Sequence, residues 1–336
     1  SSVRDFFREF VDDKICGACN GARLRPESRS VLFRETSLAD VGAMEIAAAV
    51  DWFEGVELEG VEVTIGADLL SEIRARLSFL LEVGLDYLSL NRWAITLSGG
   101  ESQRVRLASQ LGSDLSGILY VLDEPSIGLH QRDNAMLLGT LEQLRDEGNT
   151  VIVVEHDRDT MERADFLVDF GPGAGTRGGE IVGSGPVEAV RRAERSVTGD
   201  YLSGDREIAV PETRREGDGE AFKIRGARQN NLKGIDVDFP TGTFICVTGV
   251  SGAGKSSLIN ETLYPAVARH VYYKHRSVGR HDSIEGLDLF DKVIEIDQTP
   301  IGRTPRSTAA TYTKVFDHIR DRLANLPTSK MYGFDT

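Results

Sequence analysis

Residues 249–260, GVSGAGKSSLIN, decide how the rest of the chain is read. Gly249 to Ser256 follow the spacing G-x-x-x-x-G-K-[ST], in which glycines let backbone N–H groups turn inward around an anion. Gly249, Gly252 and Gly254 supply the turn, and Lys255 is placed to reach the β- and γ-phosphates of a nucleotide. The Ser256 hydroxyl, with Ser257 beside it, is placed to ligate Mg²⁺. The flanks agree: "TFICVTG" reads as a strand running into the loop, and "SSLINETL" as a helix whose positive N-terminal end faces the anion. Bound ATP and Mg²⁺ are therefore expected. Such a loop normally opens a nucleotide-binding domain, yet here it begins at residue 249 of 336.

Upstream of it lie segments that read as the closing half of such a domain. "ILYVLDEPSIGLH" (118–130) is an apolar run that a parallel strand would carry to the carboxyl edge of a sheet, where ligands bind. Asp123 can hold Mg²⁺ there, and Glu124 can polarise an attacking water. "TVIVVEHD" (150–157) delivers His156 to the same edge. Before both comes "LSGGESQRVRLASQL" (97–111), where Ser98, Gly99 and Gly100 lead into a helix with Glu101 in its first turn. Free N–H groups at that helix start form an anion site.

The pattern divides the chain. Residues 1–95 mix short charged helical patterns with Gly-broken strands. In "SEIRARLSFLLEVGLDYLSL" (71–90), Ile73, Leu77, Leu80 and Leu81 have helical spacing and Gly84 ends the run. Residues 96–202 alternate buried parallel strands with helices. Residues 203–220 are polar and Gly-containing, a linker. A second α/β unit occupies 221–336 and reaches its last residue without a second "LDEP", which suggests an internal fragment.

Composition bounds the setting. With 40% hydrophobic and 27% charged residues the chain is globular. No apolar run is long enough for a membrane span, no signal segment stands at the start, and three cysteines make no disulfide framework. A reducing, cytoplasmic location fits. The net charge of −14 opposes general affinity for phosphate backbones, so any nucleic-acid contact needs a local basic patch. Only 8 of the 39 basic residues are Lys, a balance that suits a high-salt cytoplasm and an ordinary acidic protein equally.

"LSGGESQRVRLA", then "LYVLDEPSIGLH", then "VIVVEHD" resemble the ATP-binding cassette (ABC) class: signature, Walker B and switch histidine in order. The resemblance implies an α/β P-loop fold in which an ATP is sandwiched between the Walker A loop of one cassette and the signature of another. The loop at 249 then opens a second cassette, and 97–156 closes a first whose Walker A lies upstream of residue 1. Within the class, "DEPSIGLHQRDN", "GARQNNLKGIDVDFPTG" and "VIEIDQTPIGRTPRSTAATYTKVF" (293–316) resemble the UvrA family of the bacterial-type excision repair nuclease. Nearly the whole chain is covered.

That resemblance implies an ATPase serving DNA-damage recognition, with Gln298 as the γ-phosphate-sensing glutamine. It implies damaged double-stranded DNA and a UvrB-type subunit as partners, a homodimer of the full-length protein, and no membrane. It makes 1–95 part of a signature insert, in which Cys16 and Cys19 of "CGACNGARLRPESRSV" are half of a Cys₄ Zn²⁺ site. Hydrolysis by this stretch alone is expected to be weak, since neither site is whole. For DNA contact, "ARHVYYKHRSVGRH" (268–281) offers Arg269, Lys274, Arg276 and Arg280 with no acid in the run, and Arg303 and Arg306 are further candidates. A solvated basic loop explains 268–281 equally well. Two other readings stand beside repair: a paired-cassette ATPase acting on the ribosome, against which "CGAC" and "DQTPIGRTPRS" count, and a UvrA-like drug-resistance paralogue. A transporter subunit fits poorly, because its Walker A should precede its signature.

Overall fold

The computed structural model describes residues 16–111, 116–273, 276–296 and 307–335. Its first half is built on the helix Val61–Glu82, the signature helix Gly99–Leu111 and the helix Gln131–Asp146. Leu137, Leu138, Leu141 and Leu144 repeat at helical spacing and are all buried, giving the last helix its apolar stripe. They pack with Phe79, Val83, Leu85, Leu88 and Leu107 and with the inward side chains of two strands. Each such side chain contributes about 1.5–3 kcal/mol by leaving water. Of the four residues expected at helical spacing, Leu77 is buried, Leu80 and Leu81 pack on the core, and Ile73 is exposed. Gly84, at φ +73°, turns the chain out of the long helix.

Those two strands, β3 (Leu119–Asp123) and β4 (Thr150–Val154), pair in parallel with Asp123 opposite Val154. The shorter hairpin β1 (Leu32–Phe33) and β2 (Thr36–Ser37) precedes them, and it is the only pairing of named strands described before residue 96. Among the described residues of that region the Gly-broken strands expected there are otherwise helices and turns, and the apolar residues of the helices recur at three- and four-residue spacing. β5 (Leu167–Gly171) and β6 (Glu180–Gly185) form an antiparallel pair.

The second half centres on a three-stranded antiparallel sheet with β7 (Ala221–Ala227) between β8 (Ile235–Pro240) and β9 (Ser283–Glu285). Its core joins Phe222, Ile224 and Ala227 to Leu258 and Val267 of the helical segment after the Gly-rich loop. Residues 205–220 carry no helix or strand. No helix among the described residues is long and apolar enough to cross a membrane.

Two expectations about strands are corrected. β3 and β4 are not buried on both faces: Tyr120, Leu122, Val151 and Val153 face the core, while Leu119, Val121, Ile152 and Val154 are exposed. A two-stranded sheet covered by helices on one side buries alternate residues, whatever its sequence would tolerate. "TFICVTG" forms no strand at all, and Phe244 is 99% exposed. A buried strand needs a neighbour for its N–H and C=O groups, and none of the described strands lies beside this run.

Candidate nucleotide site where the two halves meet

The Gly-rich loop keeps its turn without that strand. Gly249, Gly252 and Gly254 all take positive φ (144°, 73° and 102°), which side chains with a Cβ rarely adopt. The Lys255 ammonium folds back onto the loop, donating to the carbonyls of Gly249 at 2.7 Å and Val250 at 2.9 Å. Ser256 is exposed beside it, and a groove of about 400 Å³ lined by Phe239, Ile245, Val247 and Ile259 opens next to both. A concave backbone with a Lys and a free hydroxyl at its mouth fits a nucleotide phosphate with Mg²⁺.

Ser257 is placed differently from Ser256. It is buried, and its hydroxyl accepts from Asn230 Nδ2 at 2.9 Å. The same amide reaches the Glu261 carboxylate at 2.9 and 3.0 Å, so "QNN" (229–231) fastens the helical segment behind the loop. Asn231 Nδ2 donates to the Gly252 carbonyl at 2.8 Å.

The apex of the loop also touches the first half. The Ser251 N–H donates to Asp133 Oδ2 at 2.9 Å. A Cβ at Gly252 would collide with the Tyr87 ring, so only glycine allows this approach. Tyr87 in turn donates its hydroxyl to Glu101 Oε1 at 2.6 Å, and burial together with that carboxylate pushes its pKa above the usual tyrosine value. The signature helix start thus lies one side chain away from the Gly-rich loop.

Ser98 and Glu101 cap one another: Glu101 N–H donates to Ser98 Oγ at 3.2 Å and Ser98 N–H to Glu101 Oε2 at 2.7 Å. S-x-x-E is itself a capping box, so at the expected anion site the Ser98 and Glu101 N–H groups are already paired. Gly100 is closely packed, since a Cβ there would sit 3.2 Å from Leu129 and 3.3 Å from the Ile127 carbonyl. Gly99 stands beside it as the first residue of the helix. Arg104, 1% exposed, anchors the helix by donating to the Val83 and Gly84 carbonyls at 2.8 and 3.0 Å.

Glu124 and His156 meet as their strand positions require, with His156 Nε2 3.6 Å from Glu124 Oε1. Glu124 follows β3 in a left-handed turn at φ +46°, tied by its N–H to the Val154 carbonyl at 2.8 Å. Asp123 is exposed at the strand end, its carbonyl accepting from Gln103 of the signature helix at 3.1 Å. Glu155 holds the turn together, accepting from the Ser126 and His156 N–H groups at 2.8 and 2.9 Å. Burial opposes its ionisation, but these bonds outweigh burial and hold the carboxyl below the usual range.

Cys16 and Cys19 share one turn, in which the Asn20 N–H donates to the Cys16 carbonyl at 2.7 Å. Hydrogen bonds from Cys19 and Ala18 lower the Cys16 thiol pKa, which favours the thiolate that a metal takes. Two thiols supply half of a tetrahedron, and no group of three or more metal ligands occurs among the described residues. Of the basic candidates, Arg269 and Arg280 are exposed. Arg276 lies over the Tyr264 ring at 5.1 Å and 3.8 Å from Glu295, and His270 pairs with Asp288 at 2.9 Å. The run lacks acids in sequence, yet acids from neighbouring segments reach it. Gln298, Lys274, Arg303 and Arg306 lie outside the described residues.

Sequence reasoning missed Tyr87, Asp133, Asn231 and Glu155. Asp133 and Glu155 stood inside quoted motifs, and an acid in the first turn of a helix is a readable signal. Tyr87 carried none, because its partner Gly252 is far away in sequence.

No family model matches the chain. It is 52% identical over 332 residues to UvrABC system protein A of Listeria monocytogenes, covering 99% of this chain and 35% of that protein. It is 53% identical over 334 residues to the protein of the same name from Aquifex aeolicus, covering 99% and 36%. The crystal structure of UvrA2 from Deinococcus radiodurans matches with a TM-score of 0.82 at 40% identity, over 100% of this chain and 42% of that one. The chain spans about a third of the length of the curated relatives it matches, and its fold is similar to that of UvrA2 over its whole length.

Proposed function

We propose that this chain is part of a UvrA-family protein and forms the meeting point of two cassettes in an ATP-dependent recognition protein for damaged duplex DNA. The observation that carries this reading is the loop apex held by the first half: Ser251 on Asp133, and Gly252 on Tyr87, which holds Glu101. A loop and a signature from different cassettes facing each other is the arrangement that sandwiches a nucleotide.

In this reading Gly249, Gly252 and Gly254 present N–H groups to the phosphates, and Lys255 leaves its carbonyls to reach them. Ser256 would hold Mg²⁺, which when bound would supply positive charge to neutralise the phosphates. Ser98, Gly99 and Gly100 close the site from the other side, with Glu101 kept in place by Tyr87. Glu124, Asp123 and His156 serve the other ATP site, where Glu124 would orient water and His156 the terminal phosphate. Gln298 would sense the γ-phosphate of the first of these sites. ATP hydrolysis by this stretch alone should be weak.

Cys16 and Cys19 would give two thiolates to a structural Zn²⁺ site completed from elsewhere in the full-length protein. Exposed Arg269 and Arg280 are the basic residues best placed to neutralise phosphates, with Lys274, Arg303 and Arg306 as further candidates. A UvrB-type subunit, homodimerisation of the full-length protein and a cytoplasmic location complete the proposal. On a protein of net charge −14, DNA affinity that rises with salt would reverse the usual counterion-release slope.

The test is nucleotide binding. Lys255→Ala in the 336-residue chain should weaken titration with a fluorescent ATP analogue by about 30-fold or more, the loss of a charge-assisted contact. In the full-length protein the same change should spare the other site. Equal loss at both sites would contradict the assignment.

A further inference from the structure

Asp133 stands outside the residues assigned to the site, yet its geometry singles it out. It is 2% exposed, and the contacts recorded for its carboxylate among the described residues are the Ser251 N–H at 2.9 Å and Arg132 Nε at 3.7 Å. Arg132 is itself 63% exposed, so the ion pair is screened by water. A buried carboxylate has room for about four hydrogen bonds and is costly to leave under-satisfied. What offsets that cost from the loop is the Ser251 N–H, a donor with positive partial charge.

The position of Asp133 is fixed from behind. His130 caps the helix Gln131–Asp146 through Nδ1, and Asn134, 5% exposed, donates to Asp157 at 2.9 Å. On the other flank the Tyr87 ring lies against Gly252. The loop apex is thus held between two first-half side chains, one of them a carboxylate on the Ser251 N–H. Lys255 is turned to its own carbonyls at the same time.

We propose that Asp133 is a displaceable plug of the Gly-rich loop: its carboxylate holds the Ser251 N–H when no nucleotide is present and competes with the phosphate end of an incoming nucleoside triphosphate. This rests on the reading of Gly249–Ser256 as the nucleotide loop. Like charges at close range in a partly dry site repel strongly, so nucleotide binding must move the carboxylate away or work against it. A triphosphate carries more charge than a diphosphate and suffers more. The plug therefore sets both the affinity of the second-cassette site and its preference between the two nucleotides.

Asp133→Asn separates charge from packing, because its side-chain oxygen can still accept the Ser251 N–H. Titration of the 336-residue chain with fluorescent ATP and ADP analogues should show ATP bound roughly tenfold more tightly than by the wild type, and ADP tightened less. Asp133→Ala should tighten ATP binding too, and thermal unfolding checks that both variants fold. A purely structural residue would give the opposite sign, since loosening the loop weakens binding. Unchanged or weaker ATP binding by a folded Asp133→Asn variant, with the wild type binding normally, overturns the plug and leaves the nucleotide site standing. If the wild type shows no saturable binding and matches Lys255→Ala, the site reading fails and the plug with it.

Discussion

"ILYVLD" and "TFICVTG" are the same kind of sequence, an apolar run delivering functional residues at its end, and they meet opposite fates. The first becomes β3, because β4 lies beside it in parallel and the helix Gln131–Asp146 covers its inner face. The second stays unpaired with Phe244 in solvent. Yet the chemistry each run carries is formed in both: Glu124 meets His156 after β3, and the glycines turn the loop after residue 248. The pair at the end of β3 depends on strands far apart in sequence. The Gly-rich loop depends on local φ angles, the "QNN" clasp and contacts at its apex, so it survives without a strand before it.

The largest effect should come from removing what supports the paired run. Leu137→Ala, at a residue 1% exposed against β3 and β4, should cost about 2–5 kcal/mol in denaturant unfolding. A loss under about 1 kcal/mol would mean that this core does not carry the strand pair.

A smaller effect should follow Glu155→Gln, which weakens the charge-assisted bonds from Ser126 and His156 and should cost about 1 kcal/mol at neutral pH. The folded pKa of Glu155 is depressed, so its contribution is present above the unfolded value near 4.5 and is lost as pH falls through the folded value. The stability gap between wild type and variant should close as unfolding is followed below pH 4.5. A gap that widens in acid would contradict the hydrogen-bond geometry.

The smallest effect sharpens the other side of the comparison. Phe244→Ser should change stability by no more than about 0.5 kcal/mol, as an exposed substitution does. A cost above about 2 kcal/mol would show the run packed as a core strand.

Much of the site was legible because its motifs encode local backbone demands: glycines at φ-positive positions and an apolar run ended by acids. The meeting of Glu124 and His156 followed from strand order alone. Tyr87 was not legible, and Asp133 was readable only as an acid in a first helical turn, since nothing in either stretch names a partner more than a hundred residues away. The unpaired 243–248 run was misread for a related reason. Apolar patterning reports what a segment can bury, while a strand exists only where another segment completes its hydrogen bonds.

The central claim is that the first half grips the loop apex of the second within one chain. Asp133→Cys with Ser251→Cys, in a chain whose Cys16, Cys19 and Cys246 are changed to Ser, tests it by mild oxidation followed by peptide mass mapping. The expected result is a disulfide joining the two peptides in monomeric protein, lost after denaturation before oxidation. Failure to link, or a link found only between separate chains, would contradict the composite site.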